Sequence, residues 1–278
     1  MTKHYLFLLT LFGVSLCCNA QTDEKIKGNR EVTIRQTYID PFHTLVVGDE
    51  FEVELIYNSK PSVQVEADDN LHEHINFEVR DSILRISAAA DIRSRKKMDI
   101  KVNYGAGFSH IETFGDGEVR SLTSLELQNA TLKTSGSSKA YLNIKAKNFE
   151  FMSSGSAKVK LNLTADFASI NFNDNTKVDA LINVSELNMD LFQRASGDIE
   201  GTTQKLNLRL DNDAKFDGKN FTTNTCTLLA EFDSSATVEV VDSITIDSNG
   251  SSEIYLYGEP KITLNTFTGS SKLQKKEK

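Results

Sequence analysis

The chain has no Trp, only 3 Pro and only 3 Cys among 278 residues, and acidic residues outnumber basic ones, 39 to 31. Each shortage excludes something. Three cysteines cannot make a disulfide-stapled scaffold or a cysteine-rich zinc module. A net charge of -8 argues against nucleic acid as a partner, because nonspecific binders neutralise phosphates with surplus Lys and Arg. Long apolar runs are also missing beyond the first twenty residues, so no membrane-spanning segment is expected in the mature chain. What remains, 39% hydrophobic and 25% charged residues, is the composition of a folded globular chain.

The first residues read as an export signal. Lys3 and His4 precede an apolar stretch over 5–16, and Cys17-Cys18-Asn19-Ala20-Gln21 offers a small residue before a cut. Cleavage is expected after Ala20. A lipid anchor would need Gly, Ala or Ser before the modified Cys, but Leu16 precedes Cys17 and Cys17 precedes Cys18. The freely exported form, in the periplasm or on the outer cell surface, is therefore the expectation. Removing residues 1–20 leaves Cys226 alone, so the mature chain has no internal disulfide and must be held by burial and hydrogen bonding.

A repeat dominates the rest. Triplets of small, turn-forming residues recur: Gly115-Asp116-Gly117, Gly136-Ser137-Ser138, Gly155-Ser156-Ala157, Asp174-Asn175-Thr176, Ala195-Ser196-Gly197, Asn212-Asp213-Ala214, Ser234-Ser235-Ala236, Gly250-Ser251-Ser252 and Gly269-Ser270-Ser271. Four residues after each first position stand Val119, Ala140, Val159, Val178, Ile199, Phe216, Val238, Ile254 and Leu273, all apolar. Four residues before, the series from Ile111 to Ile246 is apolar and ends on Asn265. The mean step is about 19 residues. Between triplets the period is 2, as in Leu187-x-Met189-x-Leu191 and Leu206-x-Leu208-x-Leu210, the mark of half-buried strands.

Strands with a tight turn, repeated at this period, predict an all-β protein: a β-solenoid of stacked coils about 4.8 Å apart. Pro41, Pro61 and Pro260 bracket the array, with none from residue 62 to 259, as a continuous ladder requires. Residues 31–104 also alternate, and are read as broader strands that continue the stack and close its N-terminal end. Asp68 to His74 has the pattern of one capped helical turn. The expected layout is a signal peptide at 1–20, an N-terminal linker at 21–35, one solenoid domain at 36–273 with its repeat array at about 111–273, and a basic tail at 274–278.

With these features in place, the chain resembles the head GIN domain family of autotransporter-type adhesins (DUF2807), common in Bacteroidota. The resemblance is carried by Ser135-Gly136-Ser137-Ser138, Ser154-Gly155-Ser156-Ala157, Asn249-Gly250-Ser251-Ser252 and Ile254-Tyr255-Leu256-Tyr257-Gly258-Glu259-Pro260, with the opening Phe51-Glu52-Val53-Glu54-Leu55, Val63-Gln64-Val65-Glu66-Ala67 and Asp69-Asn70-Leu71. It covers roughly residues 42–273. It implies a β-helix-like stack with small triplets at the turns, a role in adhesion or cell-surface interaction, and no catalytic residues common to the family. Asp174-Asn175-Thr176 and Asn212-Asp213-Ala214 depart from it by replacing Gly, although both keep turn chemistry.

Candidate sites are sparse. His72 and His74 at i, i+2 could ligate a metal only from a strand and have no fixed third ligand, so surface histidines are the simpler reading. Asp116, Asp174, Asp198, Asp213 and Asp233 lie at or near turns but lack the nonapeptide calcium pattern, and turn capping explains them. Cys226, in phase with Leu228 and Ala230, reads as a buried apolar residue rather than a nucleophile. The basic run at 93–97 reads as a solvated loop. Tyr255 and Tyr257 alternate with Ile254 and Leu256 and are the best aromatic contact patch. The expectation is a nonenzymatic exported protein, without cofactor or metal, that binds a cell-surface protein or glycan. A polysaccharide-acting envelope enzyme is the first alternative, and a structural or signalling envelope protein the second.

Overall fold

A computed structural model describes residues 25–48 and 51–278; the expected signal peptide lies outside the described residues. The repeat array forms a parallel β-solenoid. Lys158–Phe172 pairs in register with Lys177–Leu191, which pairs with Ser196–Leu210, and onward through Lys215–Ala230 and Ser235–Ser248. Each step advances 19 residues over the first two pairings, for example Val159 to Val178 to Gly197.

Burial follows the alternation with one slip per coil. In Lys158–Phe172 the buried positions are Val159, Leu161, Leu163 and Ala165, then Ala168, Ile170 and Phe172. The extra residue between Ala165 and Ala168 inverts the phase, because the chain turns a corner there and begins a second sheet. The inward residues form files running along the stack: Ile111, Leu132, Phe151, Ile170, Met189, Leu208, Leu228 and Ile246 are neighbours in register. Bulk is balanced between coils, since Phe149 sits between Ala130 and Ala168. Near the other corner the files carry hydroxyls that satisfy one another, as in Thr134 to Ser153 at 2.6 Å and Ser153 to Thr176 at 3.1 Å.

That other corner is built on left-handed backbone. Gly115, Gly136, Gly155, Asp174, Gln193, Asn212, Phe232, Gly250 and Gly269 all have φ between 56 and 74°. Successive corners are joined by hydrogen bonds such as Ser156 N–H to Gly136 O at 2.7 Å and Arg194 N–H to Asp174 O at 2.9 Å. Two residues after each of these positions, from Gly136 to Gly250, stands a fully buried small residue: Ser138, Ala157, Thr176, Ala195, Ala214, Ser234 and Ser252.

Two of the nine expected triplets are therefore displaced. In the fifth and seventh coils the left-handed residue is Gln193 and Phe232, two positions before Ala195 and Ser234. The inward partners of Val178 and Phe216 are accordingly Gly197 and Ala236, not Ile199 and Val238. The last expected inward residue, Asn265, is also corrected. Leu264 pairs with Ile246, and a register shift follows that skips Asn265.

The N-terminal segment continues the stack and then closes it, as expected. Thr44–Val47 and Glu52–Tyr57 pair parallel with His110–Thr113 and Glu118–Ser121, and Ile83–Ala88 and Met98–Tyr104 add a further layer. Antiparallel strands cover this layer: Ile75–Arg80 on Ile83–Ala88, and Ser62–Asp68 on Met98–Tyr104. Val32–Tyr38 then pairs antiparallel with Ser62–Asp68, and Lys25–Lys27 pairs with Asp91–Ser94. The linker expected at 21–35 is thus corrected for 25–27 and 32–35, which are strand. A 3-10 turn spans Asp69–His74. Beside it, the buried Asp68 accepts N–H groups of Arg30, Lys96 and Lys97. Burial pushes its carboxyl upward, but these bonds outweigh burial and hold it below the usual range.

The basic tail is corrected likewise. Lys272–Lys275 is a strand paired with Glu253–Tyr257, Lys276 N–H bonds to Leu256 O, and Lys278 Nζ lies 2.7 Å from Glu239.

Candidate functional site

Because coils stack in register, an outward residue is flanked by its equivalents one repeat away. On the outer face of the sheet that follows the left-handed corner, one file reads Arg120, Tyr141, Lys160, Asp179, Asp198, Asp217, Thr237, Tyr255 and Gln274. From Tyr141 to Asp217 the spacing is 19 residues at every step. A parallel file two residues earlier carries Lys139, Lys158, Lys177, Ser196 and Lys215. One two residues later carries Asn143, Asn162, Leu181 and Glu200. The N-terminal part of this face is a groove of about 700 Å³, lined by Arg120, Tyr141, Lys160, Asp179, Asp198 and their neighbours.

The groove is pre-set at its cationic end. Arg120 bonds the buried Glu118 and lies over the Tyr141 ring, its Cζ 4.6 Å from the centroid. Burial lowers the guanidinium's proton affinity, while the Glu118 hydrogen bond and charge outweigh that effect and keep it charged. At the acidic end the Asp198 carboxyl is raised, first by desolvation and then by Asp217, Asp179 and Glu200. The face therefore offers a ring, a fixed guanidinium, a row of carboxylates and amides on one sheet face, suited to many modest polar contacts with an extended molecule.

Tyr255 and Tyr257 lie on this same face, six coils from Tyr141 in the case of Tyr255. Both are half-buried and already engaged. The Tyr255 hydroxyl donates to Glu253 at 2.7 Å under Lys276, and Lys219 lies 5.5 Å from the Tyr257 centroid. The sequence reading missed the groove, although the 19-residue spacing of Tyr141, Lys160, Asp179, Asp198 and Asp217 was a signal that could have found it.

Of the other candidates, two differ from their sequence readings: Arg93 and Ser94 of the run read as a loop belong to the strand Asp91–Ser94, and Asp198 lies within the strand Ser196–Leu210 rather than at a turn. His72 Nε2 is hydrogen-bonded to Thr33, and among the described residues no cluster of three or more His, Cys, Asp or Glu is arranged to hold a metal. Asp174 is itself left-handed, and its Oδ2 accepts the Gly155 N–H at 2.8 Å. In the basic run at 93–97, Arg93 pairs with Asp91 and Lys97 with Asp99. Cys226 is buried between Leu206 and Ile244, and burial pushes its thiol up to about 12. A thiol reagent at pH 8 is expected to leave Cys226 unmodified in the folded protein and to modify it fully in denaturant. Fast labelling without denaturant would contradict this burial.

No helix among the described residues is long and apolar enough to cross a membrane. Solved structures share the fold. A "putative adhesin" of Parabacteroides distasonis is 16% identical with a TM-score of 0.71, over 91% of this chain and 100% of its own. A "putative adhesin" of Parabacteroides merdae is 15% identical with a TM-score of 0.62, over 91% and 99%. A "putative lipid binding protein" of Parabacteroides distasonis is 18% identical with a TM-score of 0.63, over 91% and 99%. Among curated proteins, none matches the chain. The sequence profile described as "Putative auto-transporter adhesin, head GIN domain" matches residues 41–181 and 153–260, more than half of the chain, and the protein belongs to that family.

Proposed function

We propose that this protein is a nonenzymatic, exported surface-binding protein whose laddered face engages an extended cell-surface glycan or protein. The observation that carries the reading is the register of that face: Arg120, Tyr141, Lys160, Asp179 and Asp198 repeat at the coil spacing in one groove. A ligand with its own regular repeat gains one contact per coil, so affinity accumulates from weak terms. Membership in an adhesin family supports the same reading.

A polysaccharide-acting enzyme is the second reading, favoured by Asp179 and Asp198 as adjacent carboxylates in a groove, one with a raised pKa. Glycoside hydrolysis places its two carboxyl groups on either side of the scissile bond. Here both stand side by side on one sheet face. The binding reading is preferred because it also uses Arg120, Tyr141 and Lys160 of the same groove.

The test is solid-phase binding of the full chain to an array of immobilised glycans and a panel of immobilised cell-surface proteins. At least one saturable partner is expected, and the Tyr141→Ala, Asp198→Asn double variant is expected to bind it about tenfold more weakly. Lys133→Ala, on the outer face of the other sheet, is expected to leave binding unchanged. Saturable binding to nothing, or binding indifferent to the double variant, contradicts the proposal. Polysaccharide turnover abolished by Asp198→Asn would establish the enzyme reading instead.

A further inference from the structure

We propose that a second site, at the N-terminal end of the corner where the burial phase inverts, holds a single neutral pyranose ring. In the regular coils this corner is a single residue outside the ladder, as at Asp166. The first layers cross it with longer connections, residues 105–109 and 127–128, and beside these lies a recess of about 450 Å³ whose lining includes the aromatic Tyr57 and Tyr104 and the polar Glu126, Gln128 and Asn129. That volume lies within the range of small-molecule sites.

The aromatic wall is anchored from behind. Tyr57 keeps 57% of its surface exposed, and its ring stands edge-on to buried Tyr104, 5.7 Å between centroids. Tyr104 lies 4.8 Å from Phe108, which meets Phe42 at 5.6 Å. Three buried rings thus fix a fourth whose other side is open. Such a ring stacks on the C–H face of a sugar without losing much freedom on binding. Gly107, also in the lining, has φ +89°, and a Cβ there would come within 3.1 Å of the His43 ring.

The polar wall matches vicinal hydroxyls, which both donate and accept. Glu126 and Gln128 are exposed side chains, the first an acceptor and the second an amide. Asn129 uses Oδ1 to accept from Asn148 at 2.8 Å, which leaves its amide hydrogens for a ligand. The lining contains no Lys or Arg; its basic side chain is His110, whose Nδ1 lies 2.7 Å from Ser109 Oγ, and the Glu126 carboxylate in the same lining disfavours phosphate and acidic sugars. A neutral hexose or N-acetylhexosamine fits.

This inference deepens the surface-binding reading with a second ligand site, but it does not depend on the laddered groove. The experiment is saturation-transfer NMR on the full chain with the methyl glycosides of glucose, galactose, mannose and N-acetylglucosamine. At least one is expected to show saturable transfer to its ring protons. Tyr57→Ala is expected to weaken that binding about tenfold or more, and Tyr57→Phe to preserve it. Glu126→Gln, an exposed substitution, is expected to weaken binding with the fold intact, and decides the matter if Tyr57→Ala misfolds. Tyr141→Ala is expected to have no effect. Transfer to none of the four sugars, or binding unchanged in folded Tyr57→Ala and in Glu126→Gln, overturns this site. The groove's own test with Tyr141→Ala and Asp198→Asn stands or falls separately.

Discussion

Gly155→Val is expected to destabilise the stack by about 3–5 kcal/mol, combining left-handed strain with overpacking. Gly155 has φ +74°, and a Cβ would lie 2.7 Å from Gly136 O and 2.8 Å from Gly136 N. Those atoms belong to the neighbouring corner, whose carbonyl already accepts the Ser156 N–H, so relief would cost a ladder bond. The same file supplies the opposite change. Phe232 is left-handed at φ 56° and its side chain is 56% exposed. Phe232→Gly is therefore expected to stabilise by about 1 kcal/mol, by removing the Cβ penalty. Urea unfolding midpoints check both. Equal midpoints for Gly155→Val and the unaltered chain would mean that the corner is not built as described.

Phe151→Ala is expected to cost about 3–5 kcal/mol. The ring is fully buried between Leu132 and Ile170 in the coils above and below, and it meets Phe172 edge-on at 5.0 Å. A cavity there cannot collapse easily, because the neighbouring side chains hang from backbone locked in two ladders. Leu181→Ala is the contrast. Leu181 is just as apolar but faces outward with 42% exposed, so a change within about 0.5 kcal/mol is expected. A similar loss for both would contradict the assignment of inside and outside.

Much of this architecture was legible because the solenoid writes its period directly into the sequence. Small residues at corners and apolar residues in alternation have local causes, and seven of the nine triplets coincide with left-handed corners. The two slips are instructive. At Gln193 and Phe232 the left-handed position carries no turn-forming residue, whereas the buried small residue two places on, Ala195 or Ser234, does. Composition at these two corners therefore marks the packing requirement and not the backbone one. The N-terminal closure was half legible. Alternation in Val32–Tyr38 and Ser62–Asp68 marks strands, but it carries nothing about direction, and their antiparallel pairing is a tertiary fact.

The binding features were less legible, since a groove is made across coils. Tyr255 and Tyr257 drew notice by local alternation, while Tyr141 stands alone in its own strand and gains meaning only beside Arg120 and Lys160. The recess beside Tyr57 depends on residues 57, 104 and 126 meeting at one corner, a meeting that no local pattern announces.

The central claim is that one outward face is assembled from in-register coils, so that Tyr141 and Tyr255 stand in a single file. Spin labels at Tyr141→Cys and Tyr255→Cys, with Cys17, Cys18 and Cys226 replaced by Ser, measure it by dipolar spectroscopy. Six coil steps predict one narrow distribution centred at about 29 Å, plus the reach of the labels. A broad distribution, or a centre well beyond 40 Å (roughly eight strand spacings), would contradict the stacked file and the face built on it.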